Sequence, residues 1–108
     1  MGASTWKLYF VTDDDDFECD YVIAKAARRA ERLFTEQYGD LPGHAELVTV
    51  VTSPSPSLTE ACWLGPDPDL AEFGGERMAS LDFPRWRFGD RVWGPPTTMA
   101  ERYGKPAR

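Results

Sequence analysis

The residues able to do chemistry are few and scattered. His44 is the only histidine, placed in the turn Asp40-Leu41-Pro42-Gly43-His44 with Glu46 close behind. An acid–base histidine needs a defined partner and a pocket. Nothing around His44 supplies either, so it reads as an exposed turn residue. A thiol nucleophile could in principle pair it with Cys19 or Cys62, but no local signature surrounds either cysteine. Cys19 falls on the apolar face of a proposed strand and Cys62 in an apolar turn beside Trp63, and both read as buried free thiols. The expectation is therefore a protein that is not an enzyme. A small enzyme using His44 ranks last of three readings.

Asp13, Asp14, Asp15 and Asp16 form the densest polar cluster, and Glu18 and Asp20 bring it to six negative charges in eight residues. Hard oxygen ligands suit Ca²⁺ or Mg²⁺, but a helical calcium loop alternates its ligands around a central glycine, and this run does neither. No metal or other cofactor is expected. Paired carboxylates also serve glycoside hydrolysis, where they must flank a sugar cleft at a set separation; sequence shows no such spacing. Between two strands the run reads as the tip of a β-hairpin, because aspartate side chains bond the backbone ahead of them in turns. Four like charges repel at such a tip, which makes it a candidate surface for a partner.

The second cluster is Arg85-Trp86-Arg87-Phe88, followed by Gly89-Asp90 and Arg91-Val92-Trp93. Interleaved basic and aromatic residues suit base stacking with phosphate neutralisation. They equally suit an interface anchor, since tryptophan and arginine dominate binding hot spots. The structural alternative is that Trp86, Phe88 and Trp93 cap the core while the arginines face water.

These residues need elements to hold them. Trp6–Thr12 is aromatic and β-branched with alternating character, a strand. In Phe17–Ile23 the apolar residues Phe17, Cys19, Tyr21 and Ile23 alternate with Glu18 and Asp20, a second strand. From Ala26 to Gln37 the apolar positions Ala27, Ala30, Leu33, Phe34 and, beyond, Tyr38 follow helical spacing, and Gly39 with Pro42 ends the helix. A competing parse would start this helix at Asp20. Glu46–Thr52 is a third strand, whose nearly unbroken apolar run is that of a central strand. Ser53-Pro54-Ser55-Pro56-Ser57 is a loop. Short helical turns fit near Leu58–Cys62 and Asp69–Phe73, and Arg85–Trp93 reads as a second hairpin. A last helical turn fits Thr98–Tyr103. The fold expected is a small single α+β domain over residues 1–108. Residues 6–52 form a β-β-α-β core sheet with one packed amphipathic helix, 53–84 a loop-rich segment, and 85–108 a C-terminal β-hairpin with a basic tail.

At 108 residues the chain suffices for one core. No run of 18 apolar residues is present, so no transmembrane helix is expected. The start lacks the pattern of a secretory leader, and Trp6 stands where an acylation motif requires Ser or Thr. With two cysteines and no disulfide framework, the cytoplasm is the expected compartment. Net charge is −6 at pH 7, yet residues 85–108 carry a local +4. That polarity marks an electrostatic contact within the fold or surfaces for partners. Overall acidity argues against a dedicated nucleic-acid binder.

Trp6–Val11, the acidic turn, Tyr21-Val22-Ile23-Ala24 and Ala27–Leu33 together resemble the start of small uncharacterised bacteriophage accessory proteins of GC-rich hosts. In these, a strand ending in a Val-Ala-like pair runs into an Ala- and Arg-rich helix; nine arginines against three lysines agree with a GC-rich genome. The resemblance covers the N-terminal half, to about Thr52, and assigns no residue a role. It implies an accessory phage product acting in the host-cell cytoplasm. The expected function is a protein-interaction module binding a host or phage protein through Asp13, Asp14, Asp15 and Asp16 and through Trp86, Arg87, Arg91 and Trp93. The alternative is a nucleic-acid-linked role, either single-strand binding by the C-terminal end or mimicry by the acidic tip. No membrane partner is expected, and an exposed sheet edge would permit dimerisation.

Overall fold

The computed structural model describes residues 5–13, 19–39, 41–52, 58–66, 68–78 and 85–94. Strands β1 (Lys7–Thr12) and β2 (Cys19–Ala24) pair antiparallel, with Thr12 opposite Cys19 and Lys7 opposite Ala24. Helix α1 (Ala27–Gln37) follows β2 and leads to β3 (His44–Val50), and β4 is Cys62–Gly65. The four strands form one sheet in the order β3-β1-β2-β4. β3 and β2 are both antiparallel to β1 and so run parallel to each other, with α1 crossing between them. A one-turn 3-10 helix (Ala71–Phe73) precedes β5 (Glu76–Met78), β6 (Arg85–Phe88) and β7 (Arg91–Trp93), which form a second antiparallel sheet in that order.

The small α+β domain read from the sequence is present, including the β-β-α-β order and the C-terminal hairpin, whose turn holds Gly89 at a φ of +64°. β2 runs to Ala24, so the parse that starts the helix at Asp20 fails. Asp14–Asp16, Phe17, Glu18, the Ser53–Ser57 loop, the Thr98–Tyr103 turn and the basic tail lie outside the described residues.

Strand alternation divides the core in two. Leu8, Phe10, Cys19, Tyr21 and Ile23 point to one face, where Trp86 and Trp93 of the second sheet cover them together with Val51 and Leu70. Tyr9, Val11, Val22 and Ala24 point to the other, where Ala30 and Phe34 of α1 pack. The larger sheet is thus a middle layer, and every residue of β2 is buried. Gly43 lets the chain pass close to this layer, since a Cβ there would lie 2.7 Å from the Phe34 ring and 2.8 Å from Val11.

Three expectations need correction. β3 is an edge strand, not a central one, because the α1 crossover returns the chain to the far side of β1. Its unbroken apolar run has another cause, a bulge at Val48: Leu8 faces Thr49 while Tyr9 faces Leu47. Leu58–Cys62 is not a helical turn, and Cys62 opens β4 opposite Ile23. Cys62 is also exposed, because β4 is the other edge strand of the sheet; Cys19 is buried as expected.

Candidate functional site

Of the acidic stretch between residues 13 and 20 the structure describes Asp13 and Asp20, and both are buried. Asp13 and Asp20 are 5% and 0% exposed. Asp20 lies on the helix face of β2, opposite Val11. There the Tyr38 hydroxyl and the Trp63 indole N–H both donate to Asp20 Oδ2, at 2.6 and 2.7 Å, while Oδ1 is buried without a hydrogen bond. This cluster ties the end of α1 and the edge strand β4 to the centre of the sheet, a structural task. On the same face, burial pushes the Tyr9 phenol above its ordinary value of 10.0.

The Trp/Arg hairpin divides likewise. Trp86 and Trp93 are each 4% exposed, and the Trp93 ring meets Phe10 edge-on at 6.0 Å. As core residues they are not available to anchor a partner. Alternation on the short strands β6 and β7 turns both indoles toward the larger sheet. Arg87, one residue on, faces outward and bonds Glu76 Oε1 at 2.7 Å across β5. Exposed as it is, that ion pair contributes at most about 1 kcal/mol. Arg91 stays on the surface, its guanidinium 4.2 Å from the centre of the Trp93 ring and 4.0 Å from Glu46 Oε1.

His44 is exposed and opens β3 opposite Thr12. Since Thr12 also faces Cys19, two strand spacings of about 4.8 Å each separate His44 from that thiol, with β1 between them. Cys62 lies opposite Ile23, toward the other end of β2. A nucleophile and its base must come within hydrogen-bond reach, and the register keeps these residues apart. An open cleft of about 410 Å³ is lined by Pro68, Asp69, Ala71, Arg77 and Trp86. Among these described lining residues the one carboxyl, that of Asp69, accepts the Ala71 N–H at 3.0 Å and so serves the local turn.

What sequence reasoning missed is the side of the molecule formed by β3 and β7. Among the described residues, the large hydrophobic side chains that stay exposed are Leu47, Val50 and Val92, at 47%, 40% and 40%. All three belong to edge strands that adjoin at the Glu46–Arg91 contact, but Val92, paired with Arg87, faces away from the larger sheet while Leu47 and Val50 turn to its helix face. The bulge at Val48 sharpens the feature. Residues three apart on a regular strand face opposite ways, but here Leu47 pairs with Tyr9 and Val50 with Lys7, so both turn to the helix face. Among the described residues, the backbone of this edge is open too. Val51 N–H bonds inward to Trp6 O, so the Val50 N–H points out. The Ala45 N–H also points out and is bonded by Glu31 Oε2 at 3.0 Å. Leu47, two residues on, therefore directs its N–H to the same free side. No signal in the sequence marked the bulge; only the Leu-Val-Thr-Val-Val run hinted at a surplus of apolar side chains.

Compared with protein-family models, curated proteins and solved structures, the chain matches none. Among the described residues, no helix is long and apolar enough to cross a membrane.

Proposed function

We propose that this protein is a non-enzymatic protein-interaction module that engages its partner through the β3/β7 side of the sandwich. One observation carries the reading: Leu47 and Val50, two of the exposed large hydrophobics of the described residues, share one face of the edge strand β3. Apolar side chains clustered at a surface mark interaction sites, and an unpaired edge adds main-chain hydrogen bonds to any strand that docks there. The N-terminal resemblance to phage accessory products supports a host or phage protein as partner and the bacterial cytoplasm as the place of action. The single-strand-binding alternative draws less support, because stacking needs accessible rings and Trp86 and Trp93 are buried.

The test is a tagged pull-down from bacterial lysate, with and without nuclease, comparing the natural chain with Leu47→Lys/Val50→Lys and with a variant in which Asp14 to Asp16 become asparagine. A stoichiometric protein that survives nuclease and disappears with the β3 variant is the expected result. Loss only with the asparagine variant would transfer the site to the acidic connection. Recovery that depends on nucleic acid would replace the reading altogether.

A further inference from the structure

We propose that the segment docking on the β3 edge is an acidic strand of the partner, with carboxylates beside its apolar residues on the side that faces α1. The inference rests on the interaction reading above and names the chemistry of that partner. It is carried by the charge that borders Leu47 and Val50 on the helix face.

Two hydrogen bonds fix how α1 lies beside the edge. Glu31 Oε2 accepts the Ala45 N–H at 3.0 Å, and the Thr35 hydroxyl donates to Leu41 O at 3.0 Å. An advance along α1 is thus a retreat along the chain that leads into β3, so helix and strand run antiparallel. Arg28 and Arg32 precede Glu31 and Thr35 by three residues and stand on the same flank, just outside them. Three residues are about 4.5 Å of helix axis, and a strand rises about 3.4 Å per residue. Arg28 is therefore level with the stretch Glu46–Leu47. Helix side chains lean toward the helix N-terminus, which here is the Val50 end of the edge. Both arginines are exposed. From the strand side, Lys7 is the register partner of Val50 and so shares its face, and its ammonium donates to Lys25 O at 3.2 Å.

These cations have no counter-charge within the fold. Glu31, the carboxylate of this flank, already serves the Ala45 N–H, and among the described residues no carboxylate pairs with Lys7, Arg28 or Arg32. Arg28 and Arg32 repel each other at i,i+4 spacing, and Arg28 also opposes the helix dipole. The arrangement costs stability that an acidic strand laid on the edge would offset. The other face of β3 is balanced. Glu46, opposite Phe10 in the register, turns to the smaller sheet and lies 4.0 Å from Arg91. Uncompensated positive charge is thus confined to the side on which Leu47 and Val50 stand. A docking strand can bond its backbone to the edge, set apolar side chains on Leu47 and Val50, and offer its carboxylates to guanidiniums that bind them in fork geometry. The chain carries −6 overall, so an acidic partner is repelled from most directions and the local positive field selects this one.

The experiment is fluorescence anisotropy on the full chain with three labelled probes. They are a short peptide of alternating valine and glutamate, its counterpart with lysine for glutamate, and a single-stranded oligothymidylate. The valine–glutamate peptide should bind, and more weakly as salt rises. The lysine peptide should bind at least about tenfold more weakly. Arg28→Glu/Arg32→Glu, at exposed positions, should leave the circular dichroism unchanged and reverse the preference between the two peptides. Binding of both peptides alike, binding of neither, a preference unmoved by the double variant, or an oligothymidylate held as tightly through the same arginines overturns the inference. If Arg28→Glu/Arg32→Glu still captures the lysate protein that Leu47→Lys/Val50→Lys loses, the interaction reading stands and only the acidic strand is rejected.

Discussion

An aspartate between two apolar strand residues ordinarily faces water, and Asp20 reads that way in the sequence beside the acidic run. It is instead 0% exposed, beneath Tyr38 and Trp63. Alternation predicts which residues share a face, but not whether a second layer will cover the polar one. The layer is α1, and Asp20 is tolerated under it because two donors converge on its Oδ2 oxygen. Removing a shared acceptor costs more than removing one donor, since each buried group left without a partner costs about 1–3 kcal/mol. Asp20→Ala should therefore lower the unfolding free energy by about 2–5 kcal/mol, and Tyr38→Phe by only about 0.5–1.5 kcal/mol. Chemical denaturation of the two variants compares them, and an Asp20→Ala loss no larger than that of Tyr38→Phe would contradict this account. The tryptophans teach the same lesson from the other side. Trp86 and Trp93 looked equally suited to a surface or a core, and only the second sheet lying over Phe10 decides for the core.

Elements with strong local signals were legible. β1, α1 and the β6–β7 hairpin lie within a residue or two of where alternation, helical spacing and Gly-Asp punctuation put them. β4 and β5 were not, because four and three residues among prolines and glycines carry too little pattern. Their structure comes from the strands they pair with. β3 was placed in the centre because a bulge mimics the apolar run of a strand buried on both faces. The helix itself is poorly finished at its start. Ala26 has the extended conformation of an N-cap, with φ −148° and ψ 151°, but no side chain to bond the first-turn amides. No acidic residue lies in that turn, and Arg28 and Arg29 stand there against the helix dipole. Ala26→Asp should stabilise the protein by about 1 kcal/mol, read as a rise of about 4–8 °C in Tm. An unchanged or lower Tm would show that the turn is held by something other than its cap.

At the scale of the molecule, a four-stranded sheet lies between a helix and a smaller sheet, and this layering leaves the edges as the surfaces with unmet bonding. The opposite edge, β4, is four residues long and offers Cys62. The β3 edge is seven residues long, joins β7, and bears the exposed apolar side chains. Of the residues that the polarity of the sequence singled out, Asp13, Trp86 and Trp93 are buried, while Arg87 and Arg91 stay exposed. The proposed docking surface depends instead on a bulge and on edge positions that only pairing creates. Amide hydrogen exchange along β3, followed with and without the partner captured from lysate, tests this most directly. In dilute protein the Val51 and Ala45 amides, bonded to Trp6 and Glu31, should exchange slowly while those of Leu47 and Val50 exchange fast. Adding that partner should then slow Leu47 and Val50 and leave Val51 unchanged. Leu47 and Val50 amides already as slow as Val51 without the partner, or still fast when the partner is added, would contradict the proposal that this edge is where the protein docks.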